Sequence, residues 1–374
     1  MILDPYVELY QGHVLSVLKD MKDCSVDMVM TSPPYWGLRA YKTEPQIWGG
    51  KNDCEHSWGE LQQEHHAGQV EQTKWKNVEA SGSGGREKSG QYCCKCDAWK
   101  GELGQEPTFK LYIDHLMQIF TEIKRVLKLS GTCWVNIGDS YASGTRKTQI
   151  KQSITNSTQD LPLEYSPSRD MPNFPSKSLI GIPERFAIAM TDHKWIRRNT
   201  IIWWKRNPMP ESVKDRFTED FEYLYLFSKQ GKYFFAQQFE MFQSQPEDIN
   251  KPRNKGAENF GKNALGNGLP AMSEGERDWY KFGQRNKRCV WDIVTEPNEM
   301  PHYASYPEKL CEIPILAGCP KNGIVLDPFC GTGTTLAVAK RLRYKSIGIE
   351  LSDKYCKLVK QRISKISLPM ELNI

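Results

Sequence analysis

Four neighbouring residues, Ser32, Pro33, Pro34 and Tyr35, bring a hydroxyl, a carbonyl and a flat ring together in the stretch Thr-Ser-Pro-Pro-Tyr-Trp at 31–36. Neither proline carries an N–H and each fixes its own φ, so the turn is stiff and its carbonyls stay free to accept. That set suits the gripping of an exocyclic amine on a planar ring. A proline-rich turn closing a core strand would use the same residues, and Pro-Pro-Tyr alone does not separate the two. A second group does. Residues 323–335 read Gly-Ile-Val-Leu-Asp-Pro-Phe-Cys-Gly-Thr-Gly-Thr-Thr, so Asp327, Pro328 and Phe329 lead into Gly331 and Gly333, and then Thr334 and Thr335. The glycines let backbone approach a ligand closely, and a helix N-terminus there offers free N–H groups. One Gly-x-Gly is weak on its own. Followed by a helix and a second strand that ends in Glu350, it reads as a nucleoside-binding βαβ unit, with Glu350 placed to accept from ribose hydroxyls.

A third group has the spacing of metal ligands. Cys54 and His56 flank one residue, and Cys93 and Cys96 form a Cys-x-x-Cys. Together they supply four ligands, the number that structural Zn²⁺ takes. Two thiolates at the Cys-x-x-Cys spacing bind one metal from a single tight turn, so that half is the stronger signal. Cys94 could replace either neighbour, and His65 or His66 could replace His56. The bland alternative is four unrelated loop residues. Four ligands leave no open position for catalysis, so the role implied is structural. The surrounding insertion, 49–104, is polar and has too few apolar residues to fold without the metal.

The elements that must position these groups follow from periodicity. A short strand over 7–10 and an amphipathic helix over 14–21 precede a buried strand, 26–30, that the two prolines stop. His13, between the first strand and the helix, reads either as a surface residue capping the helix or as a neighbour of the ligand. Apolar residues recur at helical spacing over 111–127, and Ser130-Gly131 is expected to end that helix before a strand over 132–137. Asp139 then either borders the pocket or caps the next turn. Residues 143–177 are polar and read as a mobile loop. A helix over 182–191 and strands over 195–204, 222–227 and 232–235 come next. The stretch 236–288 interleaves basic residues with Phe260, Trp279, Tyr280 and Phe282, and ends in Arg285, Lys287 and Arg288. Basic side chains track phosphates while aromatic and polar ones read or stack bases. A solvated surface with a few anchoring aromatics is the alternative.

A chain of 374 residues suffices for one large α/β domain with smaller modules. Its 25% charged content and net charge of +5 are ordinary, and the mild basic bias does not by itself demonstrate nucleic-acid binding. No apolar run has membrane-spanning length and no signal-peptide pattern opens the chain, so the 11 cysteines read as reduced thiols of a cytoplasmic protein.

Taken together, Thr-Ser-Pro-Pro-Tyr-Trp and Val-Leu-Asp-Pro-Phe-Cys-Gly-Thr-Gly-Thr-Thr resemble the amino-methyltransferases of DNA, which use S-adenosylmethionine to methylate exocyclic nitrogens. The catalytic motif precedes the cofactor motif, as in the group whose order is called β. Residues 302–318 and 131–140 extend the resemblance over most of the chain. It implies a Rossmann-like α/β sheet, mostly parallel with an antiparallel strand, flanked by helices. The catalytic domain would comprise 1–48, 105–235 and 289–374, with 49–104 as a zinc-binding insertion and 236–288 as a target-recognition region. Ser32 and Pro33 would grip the amine and Tyr35 would stack on the base. Asp327 and Phe329 would hold the methionine amine and the adenine, and Pro328, Gly331, Gly333, Thr334 and Thr335 would shape the cofactor pocket. Double-stranded DNA is the implied partner, the chain acting as monomer or homodimer beside a cognate restriction enzyme in a bacterial, archaeal or phage-infected cell. Ser at position 32 is commoner among cytosine-N4 relatives, and Asp or Asn among adenine-N6 ones. A nicotinamide oxidoreductase would carry a fuller glycine motif, but Leu336 stands where its last glycine would fall. A non-catalytic zinc-dependent DNA-binding protein would leave both small-molecule motifs unexplained.

Overall fold

The run Val26–Thr31 is buried at all six positions, as a strand covered on both faces must be. A computed structural model describes residues 1–38, 41, 43–51, 53–59, 91–142, 174–208, 210–241, 284–295 and 306–368. Most of the expected mobile loop, His65 and His66, and residues 242–283 of the recognition stretch lie outside the described residues. In chain order the first half contains β1 (Ile2–Asp4), β2 (Val7–Gln11), α1 (Val14–Asp20), β3 (Val26–Thr31), β4 (Gln46–Trp48), β5 (Trp58–Gly59), β6 (Gln91–Cys93), β7 (Trp99–Gly101), α2 (Phe109–Val126) and β8 (Leu127–Ile137). The second half contains α3 (Ile182–Asp192), β9 (Ile196–Trp204), β10 (Phe221–Ser228), β11 (Phe239–Met241), β12 (Gln284–Asn286), β13 (Val290–Asp292), α4 (Glu308–Gly318), β14 (Ile324–Asp327), α5 (Thr334–Arg341), β15 (Lys345–Glu350) and α6 (Asp353–Ser364).

Nine strands pair in the order β1-β2-β15-β14-β3-β8-β10-β9-β13. From β2 to β8 every pairing is parallel. Strand β10 runs antiparallel to both neighbours, β8 and β9, and β1 is antiparallel at the edge. Alternation along each strand sorts its residues to the two faces. Val29, Cys133, Val135, Tyr225 and Phe227 face the helices α1, α2 and α3, meeting Leu18, Leu116, Phe120 and Phe186. Met28, Met30, Trp134, Leu224 and Leu226 face the other side, where Leu310, Ile315 and Val338 of α4 and α5 cover them. Helix α6 packs on the β2 end of the sheet, where Val359 and Ile363 meet Val7 and Leu9. No helix among the described residues is long and apolar enough to cross a membrane.

Two expectations need correction. Helix α2 ends at Val126, not at Ser130-Gly131, because Leu127 is already extended and pairs with Val26. Gly131 is needed for closeness instead: a Cβ there would lie 2.5 Å from the Leu127 side chain and 2.8 Å from the Asp27 carbonyl. Residues 232–235 form no strand. Phe234 donates to the Ser130 carbonyl and Ala236 to that of Ala317, so the segment crosses two elements instead of laddering along one.

The insertion forms its own four-stranded antiparallel sheet, β4-β7-β6-β5, beginning at Gln46. Trp48 and Trp99 project from it into the main core, where both are buried. Their rings stack on His115 of α2, at 5.0 and 5.4 Å between centroids.

Candidate active site

Strand β3 ends at Thr31, and Ser32, Pro33, Pro34 and Tyr35 follow it at the carboxyl edge of the sheet, where open α/β sheets bind ligands. Strand β14 is the neighbour of β3, and its own carboxyl end delivers Pro328, Phe329 and Gly331. The two motifs therefore meet. Ser32, Pro33, Pro34 and Tyr35 line one cleft of about 1000 Å³ with Pro328, Phe329, Gly331, Thr334 and Glu350. A hydrogen bond locks them together: the Thr31 hydroxyl donates to Asp327 Oδ1 at 2.7 Å across 296 residues of chain.

Asp327 itself is buried beneath the cleft and is not part of its lining. Besides Thr31, its carboxylate receives the Phe329 amide at 3.1 Å, the Thr335 hydroxyl at 2.5 Å and the Tyr306 hydroxyl at 3.2 Å. Burial pushes its pKa up, against the lowering effect of these donors. The arrangement braces the pocket from below. Gly331 and Gly333 both take positive φ, at 52° and 79°, which turns the backbone around the cleft before α5 starts at Thr334. Glu350 borders the cleft, its Oε2 accepting from the Gly331 amide at 3.0 Å and its Oε1 from Ser352 at 2.7 Å. Burial raises its pKa to about 7, although both amides pull the other way.

The proline elbow is held from behind. Tyr112 of α2 donates to the Pro34 carbonyl at 2.7 Å, and the Trp36 indole donates to the Glu106 carbonyl at 2.9 Å. The Pro33 carbonyl, by contrast, has no hydrogen-bond partner among the described residues. Tyr35 lines the cleft while its hydroxyl is buried, donating at 2.7 Å to Glu222 and lying 3.0 Å from Asn136 Oδ1. Burial first, and then the Glu222 charge, hold that hydroxyl well above the usual tyrosine range.

His13 is not a surface cap. It occupies the N-cap position of α1 without a side-chain cap bond, lines the cleft and meets Trp48 edge-on at 4.6 Å. Its Nε2 is buried and has no partner among the described residues, and burial lowers its pKa to about 4. Asp139 is a cap: its oxygens accept from Ser140, Gly181 and Ile182, at 2.8–3.0 Å, at the start of α3.

Away from the cleft, Cys54, His56, Cys93 and Cys96 converge, their ligand atoms all within 4.8 Å of one another. Cys54 and Cys93 sulfurs are 3.8 Å apart, and Cys96 Sγ is 3.4 Å from His56 Nδ1. The Lys95 amide points at the Cys93 sulfur at 3.4 Å, a contact that favours a thiolate. Cys94 is exposed and outside the cluster.

The three basic residues at the end of the recognition stretch are not in the cleft lining. Arg285 and Arg288 both reach Glu240, at 2.9 and 2.6 Å, and the Lys287 ammonium lies over the Trp291 ring. Sequence reasoning missed Asn136, Lys205 and Glu222, which do line the cleft. The only signal was a charge, Glu222, inside an otherwise apolar and aromatic strand.

Comparison with known proteins agrees with this geometry. A family model described as DNA methylase, of the N6/N4 type, matches residues 26–361. Type II methyltransferase M.SmaI of Serratia marcescens is 32% identical over 337 residues, covering 90% of this chain and 84% of the relative. Type II methyltransferase M.Cfr9I of Citrobacter freundii is 30% identical, covering 95% and 87%. Among solved structures, the PvuII DNA methyltransferase (cytosine-N4-specific) shares the fold at a TM-score of 0.52 and 15% identity, over 99% of this chain and 88% of that one. With both motifs on one cleft and a family match over most of its length, the chain belongs to the S-adenosylmethionine-dependent N6/N4 amino-methyltransferases of DNA.

Proposed function

We propose that the protein methylates the N4 amine of a cytosine flipped out of duplex DNA. One observation carries the reading: Ser32 and Pro33, whose carbonyl has no hydrogen-bond partner among the described residues, share a cleft with the Gly331 loop. A nucleobase amine is a poor nucleophile because its lone pair is delocalised into the ring. Acceptors for both N–H groups favour a pyramidal nitrogen with its lone pair free. Ser32 Oγ and the Pro33 carbonyl supply those acceptors, and the cleft-facing Tyr35 ring stacks on the base. S-adenosylmethionine supplies the methyl as a sulfonium, which calls for neither a metal nor a covalent enzyme intermediate. The chain's contribution is alignment, a large entropic advantage. Phe329, Gly331, Gly333 and Thr334 shape the cofactor pocket, Glu350 takes the ribose, and Asp327 fixes the floor. The target amine lies inside the duplex, so the base must leave the stack. Ser at position 32, by resemblance, favours cytosine over adenine.

Cys54, His56, Cys93 and Cys96 would hold a structural Zn²⁺, a donor set with four soft or borderline ligands and no open position. The stretch 236–288, including Arg285, Lys287 and Arg288, would meet DNA. A cognate restriction enzyme and a cytoplasmic setting complete the reading.

The test is to incubate the protein with labelled S-adenosylmethionine and plasmid DNA, digest to nucleosides and identify the labelled one. The expected product is 4-methylcytosine, and Ser32→Ala should slow transfer by roughly a hundredfold with cofactor affinity little changed. Label in 6-methyladenine would transfer the assignment to adenine N6.

A further inference from the structure

We infer that Glu222, on β10, is a positioning residue that makes Ser32 an acceptor. The inference rests on the proposed role of Ser32 and adds what sets the direction of its proton. The chain of hydrogen bonds starts at an ion pair. Lys205 binds Glu222 Oε1 and lies 4.8 Å over the Trp203 ring. Glu222 Oε2 takes the Tyr35 hydroxyl at 2.7 Å and Asn136 Nδ2 at 3.0 Å.

A carboxylate only accepts, so Tyr35 must donate towards it. The second nearby acceptor, Asn136 Oδ1 at 3.0 Å from the Tyr35 oxygen, does not change this. Asn136 gives its Nδ2 to Glu222 and to the Tyr223 carbonyl, which turns its oxygen to Tyr35. Either way the one Tyr35 proton points away from Ser32. Its oxygen is then left to accept, and Ser32 Oγ donates to it at 3.3 Å. Ser32 has one proton as well. With that proton committed, Oγ presents lone pairs to the cleft.

An amine on a nucleobase brings two N–H groups and no accessible lone pair. A freely rotating serine hydroxyl would aim its own hydrogen at that amine for part of the time. Glu222 removes this state, and Lys205 holds the carboxylate in place. The Tyr35 hydroxyl, kept protonated by its burial, transmits the direction and does not act as a base. Glu222, Lys205, Asn136 and Tyr35 all line the cleft.

The experiment measures single-turnover methyl transfer to duplex DNA together with affinities for cofactor and DNA. Its proteins are the wild type, Glu222→Gln, Tyr35→Phe and the double variant. Each single change should slow transfer by about tenfold to a hundredfold, with both affinities within about threefold of wild type. The double variant should be no slower than the slower single one, because both changes break one chain. Wild-type rates in Glu222→Gln would overturn the inference. So would rate losses that multiply, or cofactor affinity falling in step with the rate, as loss of mere structural support would give. If Glu222→Gln does not fold, Tyr35→Phe alone decides, since it keeps the ring and deletes the middle hydroxyl; an unchanged rate there is refutation. Failure of the wild type to label any nucleoside overturns the transferase reading and this inference with it. Label transferred equally fast by wild type and variants overturns the inference alone.

Discussion

Glu350 has the most informative ionisation in the cleft. Burial raises its pKa to about 7 where it borders the cleft beside Gly331, the place proposed for the cofactor's ribose. Ribose hydroxyls donate to a carboxylate and lose that acceptor when it is protonated. Cofactor binding should therefore favour the ionised form, and affinity should weaken as pH falls below about 7, approaching tenfold per unit. Calorimetric titration with cofactor between pH 5.5 and 8.5, in buffers of about equal ionic strength, measures this, and Glu350→Gln should flatten the dependence. An equal slope in that variant would assign the titration to another group. Stability of the cofactor-free protein should run the opposite way. A carboxyl whose pKa is raised on folding contributes stability below its unfolded pKa and loses it as pH rises through the folded one. Other residue roles were less legible. His13 precedes a helix, and its sequence neighbours give no sign that Trp48, brought in by the insertion, buries one edge of it. Asp327 reads as a ligand-facing carboxylate from its motif, yet its partners Thr31 and Tyr306 come from distant segments that only the fold reveals.

Among the elements, the small sheet β4–β7 escaped sequence periodicity, as did the short strands β1, β11 and β12. Its strands are two or three residues long, too short for alternation to register. The convergence of Cys54, His56, Cys93 and Cys96 was legible because their spacing is a local signal; the anchoring of the sheet was not. Trp48 and Trp99 clasp His115, whose Nδ1 meets Glu106 Oε1 at 2.9 Å in a site where both side chains are buried. Glu106 also takes the Gly104 amide at 2.8 Å, and the Gly104 carbonyl takes Gly37 just beyond the proline elbow. Folding of the insertion is thus linked to the back of the proline elbow. Long apolar elements fared better: β3, α2, β8 and α3 were all visible, because their burial pattern is written along one segment. Metal analysis should find one zinc per chain, and changing Cys93 and Cys96 together to Ser should abolish it. Loss of the metal should also lower the thermal midpoint, since the two tryptophans would lose the frame that presents them. Zinc retained in the double variant would exclude that pair as ligands.

For the molecule as a whole, the site depends on which strands are neighbours and not on the order in which the chain supplies them. Strands β14 and β15, which lead into the proposed cofactor residues, lie between β2 and β3 in the sheet, although more than half the chain separates them from both in sequence. Every contact that joins the two motifs, from the β3–β14 pairing to Thr31–Asp327, is made across space. The two ends of the described chain are also close: Leu3 and Tyr6 pack in the same cluster as Ile363 and Ile366. A circular permutant that joins residue 368 to Met1 through a short flexible linker, and opens between Thr295 and Tyr306, would place the cofactor unit first. That opening leaves every strand pairing of the main sheet intact, keeps Tyr306 with Asp327 and preserves 236–288 as one piece. Tolerance of such a change is governed by the burial and hydrogen bonding of the backbone that is cut, and the flanking residues Thr295 and Tyr306 both lie outside the strands and helices of the described chain. The permuted protein should bind cofactor with an affinity within about tenfold of the parent and methylate the same nucleoside, a range that allows for the linker's entropy. Calorimetry and nucleoside analysis of the purified permutant check both. A folded permutant that binds no cofactor would mean that the connection between β13 and α4 carries part of the site, and that adjacency in the sheet is not enough.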